Sequence, residues 1–147
     1  MLTIRDRHPL LIAAVVALAL SLLGKFLADA LLTGRIAIIG EWVGLVLAFN
    51  PGIAFGLTFA PAVQTILIII ALLLVVWVAL KDARSPLAQA GFGLIIGGAL
   101  GNLLDRAQDG LVTDMFQVGT FPIFNVADSC ITIGAVVLLL AGLFQKR

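Results

Sequence analysis

Two carboxylates stand out in Leu111-Val-Thr-Asp-Met-Phe-Gln-Val-Gly-Thr-Phe-Pro-Ile-Phe-Asn-Val-Ala-Asp-Ser129. Asp114 and Asp128 are the only charges between Asp109 and Lys146. A carboxylate beside hydrocarbon is costly unless something compensates it. Two of them brought together at low dielectric cannot both ionise comfortably, so one pKa rises and the pair can share a proton. Such a pair can hold a water, deprotonate it for attack on a carbonyl and protonate the leaving nitrogen. That is the chemistry of an aspartic protease.

Further polar residues fall where they could join the pair. Asn50 sits in Phe49-Asn-Pro-Gly-Ile-Ala-Phe55, and Asn102, Asp105 and Arg106 sit in Gly98-Ala-Leu-Gly-Asn-Leu-Leu-Asp-Arg106. Asn102 to Arg106 is an i, i+4 pair and Asn125 to Asp128 an i, i+3 pair, so each pair shares one helix face. Plainer readings exist for each. Asn125 and Asp128 suit a capping box at the start of a helix. Asp114 suits a turn, and Asn50-Pro51-Gly52 is a good turn sequence. Arg106 with Asp105 or Asp109 could be a surface pair contributing little. Taken together, ionisable groups at membrane level are functional candidates. The residues themselves leave two readings open, a catalytic aspartate pair and a proton- or ion-coupled carrier.

The elements that must position these groups follow from composition. The 147 residues are 62% hydrophobic and 12% charged, with a mean hydropathy of +1.20. Soluble domains carry about 25% charged residues, so this surface could not be made polar enough for water. The expected fold class is an all-α integral membrane protein, a single domain over residues 1–147. A net charge of +1 without a basic patch excludes nucleic acid as a partner. The single Cys130 excludes an internal disulfide, and the lone His8 excludes a histidine-based metal or haem site.

Hydropathy marks four spans, at about 9–27, 61–80, 87–104 and 126–144, each near the roughly 20 apolar residues that cross a bilayer. They must be helices, which satisfy their own backbone hydrogen bonds. Arg5, Arg7, Lys81, Arg84, Lys146 and Arg147 fall on one side, and Lys25, Arg35 and Arg106 on the other. The richer side is expected to be cytoplasmic, which puts both aspartates near the outer face. Ala28-Asp29-Ala30 resembles a signal-peptide cleavage site, but the long apolar run and Lys25 favour an uncleaved anchor helix. Residues 28–60 are too broken to cross. Their apolar stretches Ile36 to Ile39 and Trp42 to Phe49 suit short strands or an amphipathic piece at the outer interface, with Trp42 an interfacial aromatic. Gly93, Gly97 and Gly101 make a smooth helix face for close packing. The span middles hold almost no polar groups, which argues against a carrier path. A non-enzymatic assembly factor would not need the two carboxylates.

Four motifs occur in order: Asn50-x-Gly52-x-Ala-Phe55, Gly98-x-x-Gly-Asn-x-x-Asp-Arg106, Val112-x-Asp114 and Phe124-Asn-x-Ala-Asp128. Together with the length and the four spans, they resemble the lipoprotein signal peptidase (type II signal peptidase) family across nearly the whole chain. The resemblance implies an aspartic endopeptidase of the bacterial inner membrane. It implies a multi-pass chain with cytoplasmic termini and an active site near the periplasmic face. Its substrates would be diacylglyceryl-modified prolipoproteins, cut just before the lipidated cysteine. Asp114 and Asp128 match the catalytic dyad. Asn50, Gly52, Asn102, Arg106 and Asn125 match residues that bind substrate or support the site. The resemblance also implies membrane lipid as surroundings, globomycin-type inhibitors and no cofactor, and a monomer is adequate for the mechanism. The sequence departs from the family pattern at Ser21, where an aspartate commonly precedes the lysine, and at Phe49, where arginine commonly precedes the asparagine.

Overall fold

The computed structural model describes residues 7–52 and 60–145. Arg5, Lys146 and Arg147 of the charge count, and Ala54 and Phe55 of the first motif, lie outside the described residues. The elements are α1 (His8–Leu31), β1 (Ile36–Ile39), β2 (Val43–Asn50), α2 (Pro61–Asp82), α3 (Pro86–Asp109), β3 (Val112–Val118) and α4 (Val126–Gln145). All four helices are long and apolar enough to cross a membrane. The chain is a multi-pass membrane protein.

Proline stands in the first turn of α1, α2 and α3, where its missing N–H is no loss and its fixed φ suits a helix. Ser85 caps α3 by accepting the Ala88 N–H at 3.1 Å. Gly110 ends the same helix with a φ of 86°, and its N–H donates to the Arg106 carbonyl at 2.8 Å. That left-handed residue lets the chain reverse straight into β3. Two helices outrun their apolar stretches, α1 to Leu31 and α3 to Asp109. Hydropathy could not extend them, because the added turns hold Asp29, Asp105 and Arg106, which find protein partners instead of lipid. Ala28-Asp29-Ala30 is helical, with Ala28 buried.

The bundle closes around α3. A Cβ on Gly93 would meet the Leu10 carbonyl and Ala13, one on Gly97 the Ala14 carbonyl and Ala17, and one on Gly101 the Ser21 Cβ at 2.6 Å. The glycine face predicted from spacing is therefore the seam with α1. A second seam faces α4, where a Cβ on Gly91 would lie 3.0 Å from the Gly134 carbonyl and one on Gly98 2.5 Å from the Ala127 carbonyl. Backbones this close gain contact that lipid cannot replace. By contrast α2 touches α3 more lightly, and large side chains such as Ile70, Leu73 and Leu74 point outward.

At the end where α1 and α3 stop and α4 begins, a small antiparallel sheet of order β1-β2-β3 lies across the bundle. Its first two strands coincide with the apolar stretches expected between α1 and α2, so that segment is strand among the described residues. The third strand comes from between α3 and α4, where the sequence suggested only a turn at Asp114. Asp114 pairs with Ala48, Thr113 with Phe49 and Val112 with Asn50. Met115 packs with Ala28 and Leu32 under the sheet, and Trp42 projects from the β1–β2 turn, 70% exposed.

Candidate active site

Local structure delivers each polar side chain to one spot. Side chains alternate across a strand, so Thr113 and Asp114 point to opposite faces of β3. Thr113 turns toward the helices: Asp105 accepts its N–H at 2.7 Å, and Lys25 donates to its hydroxyl at 3.2 Å. Lys25 also pairs with Asp105 at 2.9 Å and with Asp29 at 2.8 Å. Asp105 therefore belongs to a tie between α1, α3 and β3 and not to a surface pair with Arg106. Asp114, 2% exposed, turns the other way.

Asp114 and Asp128 are joined through amides. Asn125 Nδ2 donates to Asp114 Oδ1 at 2.8 Å and to Asn102 Oδ1 at 3.0 Å. Asn102 Nδ2 donates to Asp128 Oδ1 at 2.8 Å. The capping box is also formed: the Asp128 N–H donates to Asn125 Oδ1 at 2.9 Å, and the Asn125 N–H donates to Asp128 Oδ2 at 3.3 Å. One asparagine thus opens α4 and spans the two carboxylates, so the plain and the functional readings hold together. From the sheet, Asn50 Nδ2 donates to Asp114 Oδ2 at 3.0 Å, while its own Oδ1 accepts the Gly52 N–H at 2.8 Å in an Asx turn. Arg106 is buried and donates to the Gly52 carbonyl at 2.6 Å. All seven residues expected at the site, Asn50, Gly52, Asn102, Arg106, Asp114, Asn125 and Asp128, gather here.

Burial lifts the Asp114 carboxyl to about 6, and the nearby negative charge of Asp128 pushes the same way against the hydrogen bonds from Asn50 and Asn125. At a pH near 5 one proton therefore resides on Asp114. The pair faces a groove of about 760 Å³ whose far walls are apolar, including Ile68, Phe121, Ile131 and Ile133. Among the described residues no group of three or more His, Cys, Asp or Glu is placed to hold a metal ion. Of the two departures from the family pattern, Ser21 is buried, packs on Gly101 and donates to the Ala17 carbonyl at 2.7 Å. Phe49 lies half exposed beside the site strand.

The family model described as signal peptidase (SPase) II matches residues 13–144. The chain belongs to the signal peptidase II family. Among curated relatives, the lipoprotein signal peptidase of Chlorobaculum tepidum is 43% identical over 71% of this chain and 74% of its own length. That of Rhodococcus jostii is 41% identical over 96% of this chain and 75% of its own. That of Francisella tularensis subsp. novicida is 35% identical over 98% and 97%. A bacterial membrane enzyme solved by the in meso method at 2.3 Å superposes with a TM-score of 0.82 at 29% identity, covering 94% of this chain and 89% of that one. Signal peptidase II membership makes the chain a peptidase, a hydrolase that acts on lipoprotein signal peptides. The expected fold, four spanning helices with a small sheet, is the one observed.

Sequence reasoning overlooked one residue of this neighbourhood. Gln64, near the start of α2, is buried to 2% exposure and donates to the Pro51 carbonyl at 3.1 Å. A glutamine among apolar residues on the first turn of a span was the available signal.

Proposed function

We propose that the protein is an aspartic endopeptidase whose Asp114 and Asp128 activate water. Its substrate would be a diacylglyceryl-modified bacterial prolipoprotein, cut immediately before the lipidated cysteine. The observation that carries this reading is the Asn125–Asn102 bridge: two carboxylates joined through two linked amide side chains at the polar end of a largely apolar groove. Asp128, ionised, accepts a proton from water while the water oxygen attacks the scissile carbonyl. Asp114, protonated, donates to the carbonyl oxygen and stabilises the tetrahedral intermediate. On collapse the C–N bond breaks, the proton held by Asp128 passes to the leaving nitrogen, and a hydroxyl proton of the intermediate returns to Asp114, which restores the starting pair. Arg106 lines the groove, and we assign its positive charge to recognition of the substrate backbone.

The groove suits such a substrate. Its walls come from α2, α3 and α4 (Ile68, Ala99 and Ile131), so an apolar signal helix and acyl chains can enter from lipid while the bond to be cut meets the polar end. The orientation follows from charge: Arg7 donates to the Leu80 carbonyl at 2.7 Å at the end opposite the site, and Lys81 lies over Trp77. With Arg84 they mark the cytoplasmic face. Both termini are then cytoplasmic and the dyad lies near the periplasmic face of the inner membrane. Globomycin-type peptides would compete for the same groove, and the site is complete in one chain.

The test is cleavage of a diacylglyceryl-modified prolipoprotein peptide by the purified protein in detergent, beside Asp114→Asn. We expect wild-type cleavage before the lipidated cysteine and none by the variant. Turnover retained in folded Asp114→Asn would overturn the dyad.

A further inference from the structure

The hydrogen bond from Asn50 to Asp114 depends on a turn that the sheet alone does not hold. β2 ends at Asn50, and the chain leaves through Pro51 and Gly52. Proline has no N–H to donate, so beyond the Asx turn made by the Gly52 N–H and Asn50 Oδ1 the segment is fixed to the helices through its carbonyls. Arg106 of α3 takes the Gly52 carbonyl at 2.6 Å, and Gln64 of α2 takes the Pro51 carbonyl at 3.1 Å. Gln64 is the largest of the fully buried side chains, and its Oε1 has no partner among the described residues. A buried amide with half its hydrogen-bonding capacity unused is costly. Packing alone would be served better by leucine or methionine. The one bond its side chain makes among the described residues is directed at the turn that carries Asn50.

We propose that Gln64 is a positioning residue for the dyad: its amide holds the Pro51 carbonyl and so keeps the Asn50 side chain on Asp114. Gln64 does not touch Asp114 and acts through two links, Pro51 and Asn50. It is also the point at which α2, the lightly packed helix, is coupled to the carboxylates. The inference rests on the dyad reading and deepens it.

Because the action runs through Asn50, it can be separated from a structural role by a double-mutant cycle. Gln64→Met keeps length and removes the donor. We expect kcat to fall about tenfold, the equivalent of one hydrogen bond, with KM within about twofold. Asn50→Ala should fall at least as far, and adding Gln64→Met to Asn50→Ala should cost nothing more. The second readout is pH. The Asn50 hydrogen bond favours the ionised form of Asp114, so loosening it moves the alkaline limb of kcat/KM upward. The charged groups that act on Asp114, namely Asp128 from α4 and Arg106 and Asp105 from α3, are unaltered in these variants. Additive losses in the double variant, or an unmoved limb, would overturn the proposal, as would an unchanged kcat. Should Gln64→Met fail to fold, Gln64→Asn keeps the amide, withdraws it by one methylene and is read the same way. Wild-type cleavage that disappears in Asp114→Asn establishes the underlying reading separately. Inactive wild type would sink that reading, whereas active wild type with an additive cycle would sink only the role of Gln64.

Discussion

The two sides of this bundle are built differently. On one, α1, α3 and α4 meet at glycines, with backbone against backbone at Gly93, Gly97, Gly98 and Gly134. On the other, α2 leans on α3 through ordinary side chains such as Leu72, Val75 and Val76, and its remaining faces are bare. The tight side owns Asp128, Asn102 and Arg106 directly, and it owns Asp114 through the Lys25–Asp105–Thr113 tie. The light side contributes a groove wall and the Gln64 contact. On the proposed reading, rigid packing lies where two catalytic carboxylates would need sub-ångström geometry, and looser packing where a substrate helix would enter.

That contrast can be broken in several places. The largest effect should come from Asp128→Asn on the tight side, a loss of at least about 10⁴-fold in kcat with melting temperature unchanged; residual turnover would mean the groups that matter lie elsewhere. Next is Gly97→Leu, whose side chain must enter the Ala14 carbonyl of α1. Overpacking of this kind costs about 3 kcal/mol or more, visible as a large drop in melting temperature in detergent. Asn125→Ala removes the bridge between the carboxylates and leaves the fold, so kcat should fall about 10²-fold, with a small stability loss of about 1 kcal/mol for the missing cap. The pH dependence sharpens the same point. Asp114, raised from its ordinary value to about 6, binds a proton more tightly folded than unfolded. The stability this gives is full below the unfolded value and is lost as pH rises through about 6. kcat/KM of the wild type should decline over the same range, and Asp114→Asn should melt no lower than wild type at pH 7.5. The smallest effect belongs to the light side. Leu73→Ala, 62% exposed on α2, should change stability by less than about 0.5 kcal/mol. A loss matching that of Gly97→Leu would erase the distinction between the two sides.

Much of this was legible before any coordinates. Four apolar runs must become helices because the bilayer offers no other way to satisfy the backbone, and glycines four apart announce a seam. The convergence of Asn102, Arg106, Asn125 and Asp128 follows from their placement at the ends of those runs. What stayed hidden depends on partners distant in sequence. Asp114 looked like a turn residue because its strand partner, Ala48, lies across two helices in the chain. Arg106 looked like a surface cation because a backbone carbonyl, the one at Gly52, has no signature. Lys25 counted as a charge for orientation, while its carboxylate partners Asp29 and Asp105 could be identified only by seeing α1 lie against α3. Gln64 shows no role in the sequence for the same reason, because its partner is the distant Pro51 carbonyl.

The abrupt reversal at Gly110 has a consequence for how a substrate would be chosen. Because α3 ends there and β3 begins two residues later, the height of Asp114 is tied to the length of a membrane helix. Asn102, which holds Asp128, stands roughly 24 Å above Pro86 at about 1.5 Å of rise per residue, in a hydrocarbon layer about 30 Å thick. On the proposed reading the molecule would work as a depth gauge. It would cut where the bond before the lipidated cysteine comes to rest in the bilayer, and lengthening or shortening α3 by one turn would move that level by about 5 Å.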